Sequence, residues 1–239
     1  MRRWARLWVL VGIAGGALAL AGCGVERVAA QARPTRLETV LEQMDAGSAK
    51  FQSAQADLRK EVFTKVVSDT EEQKGAVYFL RVKGGATQMG MKMTTQPQQV
   101  VEYKDGKLRI YNPGLNHVDE VSTTGANKSR AETFLTLGFG GSGSDLKKAW
   151  TIADGGTESI NDGQKTVATE KLDLTSKDPE VLKTVSHVTI WVDPVRDVSL
   201  KQLLVFPSGD SQTAFYTNIR LNETVDLGPF AIKCKGKCD

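Results

Sequence analysis

The residues of this chain that could do chemistry are few, and the closest pair of cysteines lies near the C-terminal end. Cys234 and Cys238 stand in the run Cys-Lys-Gly-Lys-Cys. Such a pair can form a disulfide, stay unpaired or intermolecular, or ligate a metal, and the glycine permits a tight disulfide loop. A metal would need further ligands, and the only histidines, His117 and His187, are isolated in the sequence. We therefore predict a disulfide, with no metal and no cofactor.

No catalytic constellation stands out in the sequence. There is no Gly-x-Ser-x-Gly elbow for a serine nucleophile. His117 is close to Asp119 and Glu120 on a predicted strand end, where a solvated imidazole is expected. The glycine-rich run Gly140–Ser144 lacks the Gly-Lys-Ser/Thr of a phosphate-binding loop, so we interpret it as a flexible hinge. We expect that the protein is not an enzyme.

Three of the five methionines fall in one short stretch. Met89, Met91 and Met93 alternate with Gly90 and Lys92, so in a strand they would lie on one face. Methionine fills irregular gaps in cores, and it also forms soft, adaptable surfaces for variable apolar ligands. The pattern alone leaves both uses open, a packed core or the wall of a ligand cavity.

The N-terminal segment is typical of an export signal. Arg2, Arg3 and Arg6 precede an apolar run, 7–21, that is too short for a comfortable membrane span. The run leads into Leu-Ala-Gly-Cys, which resembles the bacterial lipobox, in which the cysteine thiol receives diacylglycerol. We expect residues 1–22 to be a lipoprotein signal peptide, Cys23 to be the lipid-attachment residue, and 23–34 to be a lipidated tether.

Charge excludes one class of partner. The chain has 31 Lys+Arg and 28 Asp+Glu, and the three signal-peptide arginines account for the whole excess. A formally neutral mature protein without a basic patch is not expected to bind nucleic acid.

The rest of the chain predicts one α+β domain. A capping box at Thr35 and Glu38 begins a helix over 36–47 whose apolar stripe must lie on a sheet. A second helical segment spans 129–139, beside the glycine run. Asp105-Gly106 and Pro207–Asp210 predict tight turns, and strands joined by short turns are antiparallel. About ten strands result, the last over 228–232, in one large antiparallel sheet under short helices.

Several short motifs, in order, resemble the LolA/LolB superfamily of periplasmic lipoprotein carriers. The resemblance covers most of residues 36–232. It rests on five segments, Gly75–Phe79, Met93–Pro97, Asp105–Pro113, Ile190–Pro194 and Asn218–Asn222.

The resemblance implies a half-open β-barrel whose apolar concave face is covered by lid helices, with acyl chains between them. We accordingly assign 35–232 to a LolA-like lipid-binding domain and 233–239 to a cysteine-containing tail. Soluble carriers of the family tie lid to sheet with a buried arginine, for which Arg81 or Lys83 is the nearest counterpart. The predicted cavity residues come from the strands, the first helix and the second helical segment: Val77, Phe79, Met89, Met91, Met93, Leu37, Val40, Leu41, Met44, Phe134 and Leu137.

The expected function is therefore binding without catalysis. A membrane-anchored periplasmic lipoprotein would bind acyl chains of lipoproteins or other lipids and take part in their sorting or transfer to the outer membrane. We expect a monomer, anchored in the outer rather than the inner membrane, with a protein of the sorting pathway as a further partner. The alternative is an envelope sensor or interaction lipoprotein that uses the same fold to bind a protein.

Overall fold

A computed structural model of the chain describes residues 34–236. Its first element, α1 (Arg36–Lys50), begins at the predicted capping box. The Thr35 side chain accepts a hydrogen bond from the Glu38 N–H, and the Glu38 carboxylate accepts one from the Thr35 N–H. The helix runs beyond Gly47, where we expected it to end. A Cβ at Gly47 would lie 2.4 Å from the Cβ of Asp197, so this glycine permits close packing rather than ending the helix.

Eleven strands form one antiparallel sheet. The first six are β1 (Ser53–Thr64), β2 (Asp69–Arg81), β3 (Thr87–Met93), β4 (Gln99–Lys104), β5 (Lys107–Asn112) and β6 (His117–Ser122). The helices α2 (Ala126–Leu135) and α3 (Gly143–Ala149) follow them. The remaining elements are β7 (Trp150–Asn161), β8 (Thr166–Ser176), α4 (Pro179–Leu182), β9 (His187–Asp193), β10 (Val198–Val205) and β11 (Ser211–Leu221).

The sheet is curved and does not close. Its order is β6-β5-β4-β3-β2-β1-β11-β10-β9-β8-β7, so every neighbour is consecutive in sequence except β1 and β11. The edge strands β6 and β7 are consecutive too, and the connection between them carries α2 and α3. The connection therefore joins the two edges of an open sheet. The predicted α+β half-barrel with short helices is confirmed.

Turn chemistry is confirmed at the β4–β5 hairpin, while the last predicted strand was wrong. Asp105 and Gly106 have φ of 52° and 75°, as a type I′ turn requires. The segment expected to pair at 228–232 forms a single 3₁₀ turn, Gly228–Phe230. Pro229 has no N–H to offer a ladder, and Phe230 instead packs edge-to-face on Tyr78, with ring centroids 4.9 Å apart.

Two apolar clusters fill the space between the sheet and the segments that cover it. One joins α1 and α3 to β7, β8 and β9, and includes Leu41, Trp150 and Leu172. The other lies on β1, β2 and β3 and includes Ala54, Val77 and Phe139. The first helix thus packs on the β7–β9 half of the sheet. The half made of β1–β5 is covered by the chain around α2.

Candidate functional site

An apolar cavity of about 350 Å³ lies between α2 and the sheet. This volume falls in the range of roughly 300–1,000 Å³ that is typical of small-molecule sites. The lining residues come from seven strands and one helix: Leu58, Lys60, Val77, Phe79, Met89, Met91, Tyr103, Leu108, Ala131, Phe134, Leu135, Gln202, Leu204, Gln212, Ala214 and Tyr216.

Strand register explains how the lining residues meet. Val77 pairs with Met91 and Phe79 with Met89, and Met89 in turn pairs with Tyr103. Alternate residues of a strand share a face, so each of these strands contributes every second side chain. The cavity crosses the sheet diagonally as a result, from Tyr103 and its neighbour Leu108 on β5 to the β10–β11 side.

The structure places five of the predicted cavity residues around this space. They are Val77, Phe79, Met89, Met91 and Phe134. Phe134 also meets Trp150 edge-to-face, with centroids 5.6 Å apart, so α2 reaches from the cavity to β7.

The other six predicted residues pack outside it. Met93 is 2% exposed and belongs to the cluster on β1–β3, two residues beyond Met91 on the same strand. The remaining five belong to, or pack against, the cluster under α1: Leu37, Val40, Leu41, Met44 and Leu137. The first helix is therefore not the cover of this cavity. That cover is α2, from which only Phe134 was among the predicted cavity residues.

Residues of β1, β10 and β11 complete the cavity, and sequence reasoning missed them. Alternation along β11 puts Ala214 and Tyr216 on one face. It could not show that this face adjoins Leu58 of β1, because that pairing joins residues far apart in the chain.

A buried hydrogen-bond chain secures the segment just after α2 to the sheet. The Tyr216 hydroxyl donates to Gln202 Oε1 at 3.0 Å, and Gln202 Nε2 donates to the Leu137 carbonyl. Burial raises the pKa of the Tyr216 hydroxyl, so it stays a neutral donor at any physiological pH. These polar atoms satisfy one another, which leaves the adjoining cavity apolar.

The glycine-rich segment after α2 is tightly packed, which corrects the prediction of a flexible hinge. Phe139 is fully buried, stacks on Phe79 with centroids 4.3 Å apart, and meets Tyr216 edge-to-face. A Cβ at Gly138 would lie 2.2 Å from the Cβ of Ser199, and one at Gly140 would lie 2.3 Å from the Phe51 ring. Both glycines have a φ of 74°. The glycines here allow close approach to the sheet.

Arg81 ties three segments together at the end of β2. Its Nη1 donates to the Ser48 carbonyl and its Nη2 to the Gly140 carbonyl, each at 2.6 Å. The guanidinium also lies 5.6 Å from the Phe51 ring centroid. Of the two residues named as nearest to the family's buried arginine, Arg81 makes these hydrogen bonds and Lys83 is exposed.

Replacing Arg81 by methionine should destabilise the protein by roughly 2–3 kcal/mol, because hydrogen bonds from a charged donor to two carbonyls are lost. Hydrogen exchange should accelerate at the end of α1 and around Gly140. Arg81→Lys should retain only part of the stability that Arg81→Met loses, because an ammonium lacks the planar fork of a guanidinium. Lys83→Met is the matched control and should change nothing. Equal hydrogen-exchange rates in the Arg81→Met and Lys83→Met proteins would show that Arg81 does not bridge these segments.

Several predictions concern residues or properties outside this cavity. Among residues 34–236 we find no group of three or more His, Cys, Asp or Glu side chains suited to a metal ion. In the same range there is no helix whose length and hydropathy would suit a membrane span. Cys23 and Cys238 lie outside the described residues. Cys234 is disulfide-bonded, and its pairing with Cys238 stays a prediction.

Comparison with known proteins finds similar folds among solved structures. No protein-family model matches the chain, and no curated protein matches it. An uncharacterized conserved protein from Thermus thermophilus is 8% identical, with a TM-score of 0.50, and the match covers 84% of this chain and 96% of that one. The likeness is one of fold.

Two further solved structures also match the chain. A LolA superfamily protein from Nitrosomonas europaea is 14% identical over 80% of this chain and 96% of that one, with a TM-score of 0.38. MucB, in its complex with MucA from Pseudomonas aeruginosa, is 14% identical with a TM-score of 0.49. That match covers 83% of this chain but only 62% of MucB. The LolA resemblance stated from the sequence is confirmed for the fold and no further.

Proposed function

We propose that this protein is a non-enzymatic, lipid-binding protein of the cell envelope that holds the acyl chain of a lipoprotein or lipid under α2. The observation that carries the proposal is the cavity of about 350 Å³ between α2 and the sheet. Its walls are mainly leucine, valine, methionine and aromatic side chains, which suit a flexible hydrocarbon chain. Binding would follow from burial alone, without bond making or breaking.

The energy scale fits reversible transfer. Each buried methylene contributes about 0.8 kcal/mol, so about ten methylenes contribute roughly 8 kcal/mol before the cost of immobilising the chain. Such binding is strong enough to keep a chain out of water. It is also weak enough for an acceptor to take the chain by higher affinity.

The cover of the cavity is suited to opening. None of the α2 side chains that the structure describes is fully buried, and no side chain caps its N-terminus at Gly125. An ion pair holds it from outside, with Arg130 Nε 2.6 Å from Asp178 Oδ2. Elements with few buried contacts and exposed hydrogen bonds open most easily. We therefore assign to α2 the movement that admits a chain.

Native mass spectrometry of protein purified without detergent tests the proposal. Acyl-bearing species should remain bound to the wild-type protein. The alternative is an interaction lipoprotein that binds a protein partner through the same fold; among matched structures, MucB is seen in complex with MucA. A cavity that is reproducibly empty, together with a bound protein, would favour that alternative and overturn lipid binding.

Attachment to the membrane is proposed to occur through Cys23, the residue that directly follows the signal segment. Cys23→Ser should give protein that is no longer membrane-attached, or that stays as an uncleaved precursor, because the thiol that receives the lipid is gone. Fractionation of membranes and periplasm measures this. Correctly cleaved Cys23→Ser protein that still sediments with membranes would rule out the lipid anchor.

A further inference from the structure

The polar side chains of the cavity divide into two groups. Tyr216 and Gln202 belong to the hydrogen-bond chain described above, and the Tyr103 hydroxyl lies 3.4 Å from Thr123 Oγ1. The other two are Lys60 and Gln212. Within the part of the chain that the structure describes, neither of their side chains forms a hydrogen bond or an ion pair.

The two side chains without partners lie at the same end of the cavity. Lys60 of β1 pairs with Ala214 of β11, and Gln212 is two residues from Ala214 on the same face. Diagonal neighbours of this kind have Cα atoms about 7–8 Å apart, within reach of long side chains. The opposite end, at Tyr103 and Leu108, presents a ring and an aliphatic side chain. The cavity is thus apolar along its length and cationic at one end.

Lys60 forms no direct ion pair with another described residue. Burial lowers the pKa of its ammonium, and the carboxylate of Glu71 offsets this in part. Glu71 lies two residue pairs further toward the β1–β2 turn, opposite Val62, and its Oε1 accepts from Gln73 Nε2 at 3.0 Å. A partly buried ammonium without an ion pair can donate charge-assisted hydrogen bonds to an anion that binds beside it. Such an anion would complete an ion pair with Lys60.

We infer that the cavity selects a single-chain amphiphile with an anionic head, whose carboxylate or phosphate oxygens bind Lys60 and Gln212. The apolar chain then runs beneath α2 toward Tyr103 and Leu108. This inference rests on the proposed function, since it names the class of lipid that the same cavity takes. Lys60 supplies the charge, and the Gln212 amide supplies a second donor. A fatty acid and a phosphate-headed lipid share the required chemistry.

Affinity measurements on purified protein stripped of bound lipid test the inference. The probes are hexadecanoate, hexadecyl phosphate, hexadecanol and inorganic phosphate. The wild-type protein should bind one or both anionic chains at least about tenfold more tightly than the alcohol, as charge-assisted hydrogen bonds predict. The tighter of the two identifies the head group. Inorganic phosphate alone should show no measurable binding.

Two variants locate the selectivity. Lys60→Met should reduce the affinity for the anionic chains to about that for hexadecanol, measured on the same variant. Lys74→Met is the matched control: Lys74 is 62% exposed, pairs with Glu72 and does not line this cavity, so selectivity should persist. Gln212→Leu should lower anion affinity by a smaller factor.

The possible outcomes distinguish a failure of the anionic-head inference from a failure of acyl-chain binding. Equal affinity of the wild-type protein for hexadecanoate, hexadecyl phosphate and hexadecanol overturns the anionic-head inference but leaves acyl binding intact. Selectivity that survives in a folded Lys60→Met protein also overturns it. No binding of any chain overturns the proposed function itself. The wild-type comparison decides the question even where Lys60→Met does not fold.

Discussion

Met91→Glu should abolish acyl-chain binding while leaving the protein folded. Met91 lies between Val77 and Val101 on the cavity wall and is only partly buried. A carboxylate there would meet the hydrocarbon chain without a partner, at a cost of several kcal/mol to the complex. In the free protein, water in the open cavity can solvate the charge, so stability should fall much less. Displacement of a fluorescent fatty acid, run beside thermal melting, measures both effects.

Two controls make this prediction specific. Met91→Leu should be nearly silent, because volume-conserving swaps usually cost less than about 1.5 kcal/mol. Met93→Glu places the same charge two residues away, at a side chain that is 2% exposed, and should unfold the protein. If Met91→Glu melts as early as Met93→Glu, Met91 is core. If it changes neither binding nor melting, the wall assignment is wrong.

Phe139→Ala should cost about 3–5 kcal/mol of unfolding free energy, the usual range for removing a buried phenylalanine ring. The ring is 0% exposed and stacks on the cavity residue Phe79, which holds the segment that follows α2 against the sheet. Its loss would leave a cavity and release that segment from the sheet. Urea denaturation measures the change in stability.

The matched control for Phe139 is Phe134, a partly buried phenylalanine on α2. Phe134→Ala should cost less stability than Phe139→Ala and should weaken acyl binding, because its ring lines the cavity. A loss under about 1 kcal/mol for Phe139→Ala would be typical of a peripheral site and would contradict the anchoring role.

Local chemistry made much of the sheet predictable. Asp105-Gly106 specified its own hairpin through positive φ, and strand alternation correctly placed Met89 and Met91 on one face. These are properties of adjacent residues, which sequence displays directly. The half-barrel itself was implied by family resemblance, because the strand order depends on the pairing of β1 with β11.

The cover of the cavity could not be predicted in the same way. An amphipathic stripe shows that α1 buries Leu41 and Met44, but it does not show against which half of the sheet. Glycine content likewise does not distinguish a hinge from close packing, and Gly138 and Gly140 proved to be packed. Lys60 carried no signal at all, since an exposed lysine and one inside a cavity look alike in sequence.

The most direct test of lipid binding in this cavity is NMR of protein labelled with ¹³C at the methionine methyl groups. Two methyl groups, those of Met89 and Met91, lie on the cavity wall, while Met44 and Met93 are in the packed core and serve as internal controls. On titration with hexadecanoate, the Met89 and Met91 signals should shift and show contacts to chain protons, while those of Met44 and Met93 stay nearly unchanged. Saturable binding that leaves the Met89 and Met91 signals in place would put the chain elsewhere and contradict the account.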